Sequence, residues 1–104
     1  MTASAGGDGL VDGDGLVDNP GASRYELWVD GAVVGVVQYR LHAGHIVLLH
    51  TETDPAAEGH GYGSRLAKAV LDDARARGLP VVPSCPFIAA YIERHPEYGD
   101  LVVR

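Results

Sequence analysis

The chain has 104 residues and a net charge of −6, from fourteen acidic and eight basic side chains. That length allows one domain at most, and no apolar run approaches the roughly 18 residues a membrane span needs. From residue 24 onward acids and bases nearly balance with no basic face, which argues against nucleic acid as the main partner.

Residues 1–23 carry Asp8, Asp12, Asp14 and Asp18 and no basic residue. They also hold a direct repeat: Gly7-Asp8-Gly9-Leu10-Val11-Asp12, then Gly13-Asp14-Gly15-Leu16-Val17-Asp18. Two six-residue copies are too few to build a solenoid core. The aspartates lack the order and closing glutamate of a calcium loop. The composition predicts a disordered acidic tail over 1–23 and a domain over 24–104. No basic start followed by an apolar core marks a secretory signal. The single cysteine, Cys85, cannot close an internal disulfide, which fits a reducing cytoplasm.

Arg24 to Val29 alternates and predicts a strand. Asp30-Gly31 is a hairpin turn, and Ala32 to Leu41 is the return strand, where Gly35 marks a bulge or a close contact. His42 to His45 is a second turn. Ile46 to Thr53 is a third strand, rich enough in apolar residues to be buried on both faces. Strand alternation places His50 and Glu52 on one face with Leu48.

After Pro55 comes Glu58-Gly59-His60-Gly61-Tyr62-Gly63-Ser64. The pattern is neither the dinucleotide fingerprint nor a P-loop, which needs a lysine here. A tight turn that opens a helix nevertheless aims free N–H groups at an anion such as a pyrophosphate. The helix spans Ser64 to Arg77, with Leu66, Ala67, Val70, Leu71 and Ala74 as its apolar stripe. Gly78 stops it. Val81-Val82-Pro83 is a fourth strand, parallel to the third because a helix crosses between them. Pro86 opens a second helix, with Phe87, Ile88, Tyr91 and Ile92 toward the core, and His95-Pro96 ends it. Tyr98 to Arg104 is a short tail or edge segment. The order β-β-β-α-β-α describes an α+β domain with a mostly antiparallel sheet and one parallel pair, splayed where a ligand can insert.

Leu48-Leu49-His50-Thr51-Glu52, Gly59-His60-Gly61-Tyr62-Gly63-Ser64, Pro83-Ser84-Cys85-Pro86-Phe87 and Tyr91-Ile92-Glu93-Arg94-His95-Pro96-Glu97-Tyr98 together resemble the small YjdJ-type N-acetyltransferases of the GNAT superfamily, over about residues 24–102. The resemblance implies an acetyl-CoA-binding fold. In it the turn residues Gly59, His60, Gly61, Tyr62, Gly63 and Ser64 cradle the CoA pyrophosphate, and the strand at Leu49, His50 and Thr51 binds the pantetheine arm. Glu58 departs from the superfamily, which has Arg or Gln at that place.

Acetyl transfer to an amine needs a base for the amine, donors for the oxyanion and a proton for the leaving thiolate. His50 and Glu52 are the candidate bases. Cys85 precedes the helix that begins at Pro86, whose dipole favours a thiolate, so a nucleophilic role is open to it, as is that of a small buried hydrophobe. By resemblance, Tyr91 is a candidate proton donor to the CoA sulfur. Arg65, Lys68 and Arg94 are candidates for the CoA phosphates. The histidines lack metal-ligand spacing, and no metal is expected. The leading function is an acetyl-CoA-dependent N-acetyltransferase acting on a primary amine of a small molecule or a protein lysine, as a monomer or weak homodimer. The alternative is a non-catalytic acyl-CoA-binding or protein-interaction domain with the same fold.

Overall fold

The computed structural model describes residues 15–57 and 59–103. Among the described residues five strands form one sheet in chain order: β1 (Gly15–Asn19), β2 (Arg24–Val29), β3 (Ala32–His42), β4 (His45–Thr53) and β5 (Val81–Pro83). The first four are antiparallel neighbours, while β4 and β5 run parallel. Helix α1 (Tyr62–Ala76) is the crossover between the parallel pair. Helix α2 (Pro86–Arg94) follows β5, and a 3-10 segment, Pro96–Leu101, comes after it. The expected α+β sheet with one parallel pair is present. The meander turns are two-residue loops in left-handed backbone, Asp30-Gly31 at φ 51° and 79° and Ala43-Gly44 at φ 52° and 81°. That geometry matches the twist of the flanking strands.

β1 revises the expected boundary at residue 24. Leu16 packs on the core, and the Asp18 carboxylate accepts hydrogen bonds from the Tyr39 hydroxyl at 2.5 Å and from Arg77 at 3.2 Å. Gly and Asp are poor strand formers, so composition hides this strand; its cross-strand contacts outweigh propensity. The remainder of the expected tail, residues 1–14, lies outside the described residues.

Both helices pack side by side on one face of the sheet. The α1 stripe of Leu66, Ala67, Val70, Leu71 and Ala74 is fully buried against Tyr25, Leu27, Val37, Tyr39, Ile46 and Leu48. Each large aliphatic side chain so buried stabilises the fold by about 1.5–3 kcal/mol. From α2, Ile88, Tyr91 and Ile92 join this core. Phe87, expected there, is instead 38% exposed. Gly35 faces α1, and a Cβ on it would lie 3.2 Å from both the Glu52 carbonyl oxygen and Leu66. Close approach is therefore its role, beside a bulge that leaves Val34 without a partner on β2. At the far edge, Val102 bridges to Val81, and the Val103 N–H donates to the Val81 carbonyl at 2.9 Å. The expected edge segment is thus a short cover for β5.

β4 departs from expectation twice. Only its helix-side face is buried: Ile46 and Leu48 are inaccessible, whereas Leu49 is 38% exposed. It also carries a bulge. Tyr39 pairs with Leu48 and Gln38 with His50, so Leu49 has no partner on β3. Paired residues share a face, and Gln38 and Tyr39 point oppositely. His50 and Glu52 therefore lie on the face opposite Leu48, not with it. Thr51, paired with Val37, takes the helix side.

Candidate active site

The parallel pairing of β4 and β5 covers only Ile46–Leu48 and Val81–Pro83. One more bond follows, from the Cys85 N–H to the Leu48 carbonyl at 2.8 Å. Beyond it the chains part. β4 continues through Leu49, His50 and Thr51, while the other chain turns into α2 at Pro86, a residue suited to a first helical turn. Cys85 is the N-cap residue of α2 and is 2% exposed. Its Sγ lies 3.2 Å from the Thr51 hydroxyl across the base of the parting. Leu49 and Phe87, each 38% exposed, stand at the rim.

The glycine turn lies at the start of α1. Gly59 and Gly61 adopt φ 91° and 71°, left-handed values that favour glycine. Gly61 is the N-cap residue and contributes no capping side chain, and the first acceptor bond within the helix runs from the Arg65 N–H to the Gly61 carbonyl. The first-turn N–H groups are open to an anion, with the helix dipole behind them. Gly63 serves a different purpose. A Cβ there would come within 2.8 Å of the Phe87 ring, so this glycine lets the start of α2 pack against the start of α1.

The other expected cofactor residues separate in space. His60 stacks on Tyr62 with ring centroids 5.3 Å apart, and the Arg65 guanidinium lies 5.4 Å from the centre of the Tyr62 ring. This places His60, Tyr62, Ser64 and Arg65 around the turn. Lys68 sits on the next turn of α1 and donates to Asp72 at 2.8 Å; that bond raises its pKa. Arg94 ends α2, roughly 12 Å along the axis from Pro86, away from the turn. The Glu58 departure falls outside the described residues.

His50 and Glu52 meet on the open face, with Nε2 and Oε2 3.1 Å apart and side chains 54% and 67% exposed. Beside them a cavity of about 280 Å³ is lined by Val33, Val34, Val36, Glu52, Asp54 and Pro55, among others. Tyr91 is packed as a core residue: its ring stacks on His95 at 4.0 Å and lies 6.1 Å from that of Tyr98. Among the described residues no three His, Cys, Asp or Glu side chains gather as metal ligands. Sequence reasoning missed two features, the bulge at Leu49 and the place of Phe87 at the rim. Neither has a local signal, since both depend on partners distant in sequence.

A mixed sheet whose parallel pair parts beside a glycine-started helix is the GNAT-like α+β architecture. Residues 24–101 match the GCN5-related N-acetyl-transferase family, and the chain belongs to it. It is accordingly an acyltransferase of the acetyltransferase kind. Among solved structures it is similar to the solution structure of a "GCN5-like putative N-acetyltransferase" from Staphylococcus aureus. The identity is 22% and the TM-score 0.66, over 89% of this chain and 91% of that one. No curated protein matches the chain.

Proposed function

We propose that this chain transfers the acetyl group of acetyl-CoA to a primary amine, of a small molecule or a protein lysine, as a YjdJ-type member of the family. The observation that carries the reading is the parting of β4 and β5 after Leu48, with the Cys85 thiol at its base and the glycine-capped start of α1 beyond it. These residues fit the cofactor: a helix start with a glycine N-cap suits a pyrophosphate, and an opened strand edge suits the amides of a pantetheine arm. Bound acetyl-CoA would supply the activated thioester acyl group. The backbone N–H groups of the first turn of α1 would hold the phosphates, with Arg65 beside them. Leu49 and Thr51 would flank the arm.

Cys85 and the His50–Glu52 pair would act from opposite sides of the sheet. The Cys85 thiol, oriented by Thr51, would protonate the leaving sulfur or take the acyl group itself. On the open face, Glu52 orients His50 to remove the proton of the attacking amine. The neighbouring valine-lined cavity with Glu52 and Asp54 suits the aliphatic body of a primary amine. Lys68, Arg94 and Tyr91 would be structural. The setting would be cytoplasmic, the state monomeric or weakly dimeric, and nucleic acid no partner.

Calorimetry with acetyl-CoA and CoA on the full chain tests the reading, followed by CoA release against a panel of primary amines. Micromolar to submillimolar binding with amine-dependent release is expected. No binding of either nucleotide at millimolar concentration would sink it.

A further inference from the structure

The tandem repeat is the one sequence motif that acyl transfer leaves unused. Its second copy supplies β1, and few side chains hold that strand in place. Leu16 lies opposite Leu27 and packs on the core; Asp18 lies opposite Tyr25 and is bonded by Tyr39 and Arg77; Val17 lies opposite Glu26 on the open face. Apart from Asn19, the rest of the attachment is backbone pairing, which is indifferent to side chain. The first copy carries the same residues at the same spacing: Leu10 for Leu16, Val11 for Val17 and Asp12 for Asp18, with glycine before each leucine.

We infer that the outer edge of β2 is a binding site for a Gly-Leu-Val-Asp strand, and that the first copy of the repeat is a second ligand for it within the same chain. Every side-chain contact made by Leu16, Val17 and Asp18 is available to Leu10, Val11 and Asp12. One contact set is not duplicated. Asn19 donates to Glu26 at 3.1 Å and accepts from the Ala22 N–H at 3.3 Å, whereas Gly13 follows Asp12. Exchange also lengthens the connection to Arg24 from five residues to eleven. Each doubling of a loop shifts such an equilibrium by only roughly threefold. The second copy therefore holds the site, and the first is a reserve at high effective concentration. The benefit is to the edge: when β1 opens, an identical strand recloses β2 before another chain can pair with it.

The test uses the full chain with three variants, L10S/D12A, L16S/D18A and all four substitutions. The first should leave the melting temperature unchanged. The second should lower it by about 3 °C, and the four together by on the order of 10 °C. Equal losses for L16S/D18A and the fourfold variant would overturn the inference. Should the fourfold variant not fold, hydrogen exchange on L16S/D18A decides. Protected amides over residues 9–12 are expected, and freely exchanging ones would overturn it. Protection that disappears on dilution together with a dimer would overturn the same-chain assignment.

Discussion

The two sides of the sheet's helix face contrast sharply. Where β1–β3 meet the end of α1, polar groups are tied to one another. The Tyr25 hydroxyl donates to Asp73 at 2.6 Å, Tyr39 donates to Asp18, and Arg77 reaches Tyr25, Asp73 and Asp18. The two tyrosine rings lie 5.2 Å apart. Where β4 and β5 part, the N-cap of α1 is a glycine, apolar side chains stand exposed at the rim, and the thiol is bonded across the parting. This polar network lies in the first region, and groups suited to binding are left available in the second. Such a division lets a small domain keep a fold while leaving part of its backbone for a ligand.

The sharpest way to break this comparison is Cys85→Ala. Acetyl transfer should fall to background while the melting temperature moves by no more than about 5 °C. A variant that keeps full activity would reduce the thiol to a core filler. Gly63→Ala comes next. Its new Cβ would meet the Phe87 ring at 2.8 Å, and overpacking of this kind costs about 1–3 kcal/mol. Thermal melts should show that loss, and Phe87→Ala in the same chain should restore most of it. Failure of that rescue would mean Gly63 is required for another reason.

Tyr25→Phe probes the tied region. It removes one hydroxyl from between Asp73 and Arg77 and should cost about 1–2 kcal/mol in denaturant unfolding. The turnover number should not change; a fall in kcat would show that the two regions are coupled. The smallest effect is a dependence on alkaline pH. Tyr25 and Tyr39 are pushed up by burial and by bonds to Asp73 and Asp18 respectively. Tyr98 is pushed up to about 12 by its bond to Asp72 and by burial. Tyrosine in the unfolded chain ionises near pH ~10. The stability these groups confer is therefore complete below that pH and is lost as pH rises toward 12 and beyond. Tyrosinate absorbance at pH ~11 should be clearly lower in the folded chain than in urea. All five tyrosines titrating together near pH 10 while folded would contradict the network.

Much of the architecture was legible in the sequence because periodicity is local. The stripe of α1, the glycine stop after it, the proline that opens α2 and the short β5 all carry their signals within a turn or two of chain. β1 was not legible, because its glycines and aspartates mimic a solvated tail and only Tyr39, Arg77 and the β2 edge make it a strand. The candidate site was half legible. Cys85 before Pro86 and the glycine turn could be found by position. The face of His50 and Glu52 could not, since plain alternation assumes that no residue is inserted. The rim position of Phe87 depends on a glycine far away in the chain.

The unpartnered Leu49 has a consequence for how this protein can change. One inserted residue divides β4 into a half in register with the core and a half that is re-phased. Substituting Leu49 alters a rim. Deleting it would make Leu48 and His50 successive residues opposite Tyr39 and Gln38, so His50 and Glu52 would keep the open face, Thr51 would keep the helix side, and only the bulge would go. What the extra residue supplies is a local bend and a side chain at the rim, so the strand can lose it here without reversing the faces of the residues that follow.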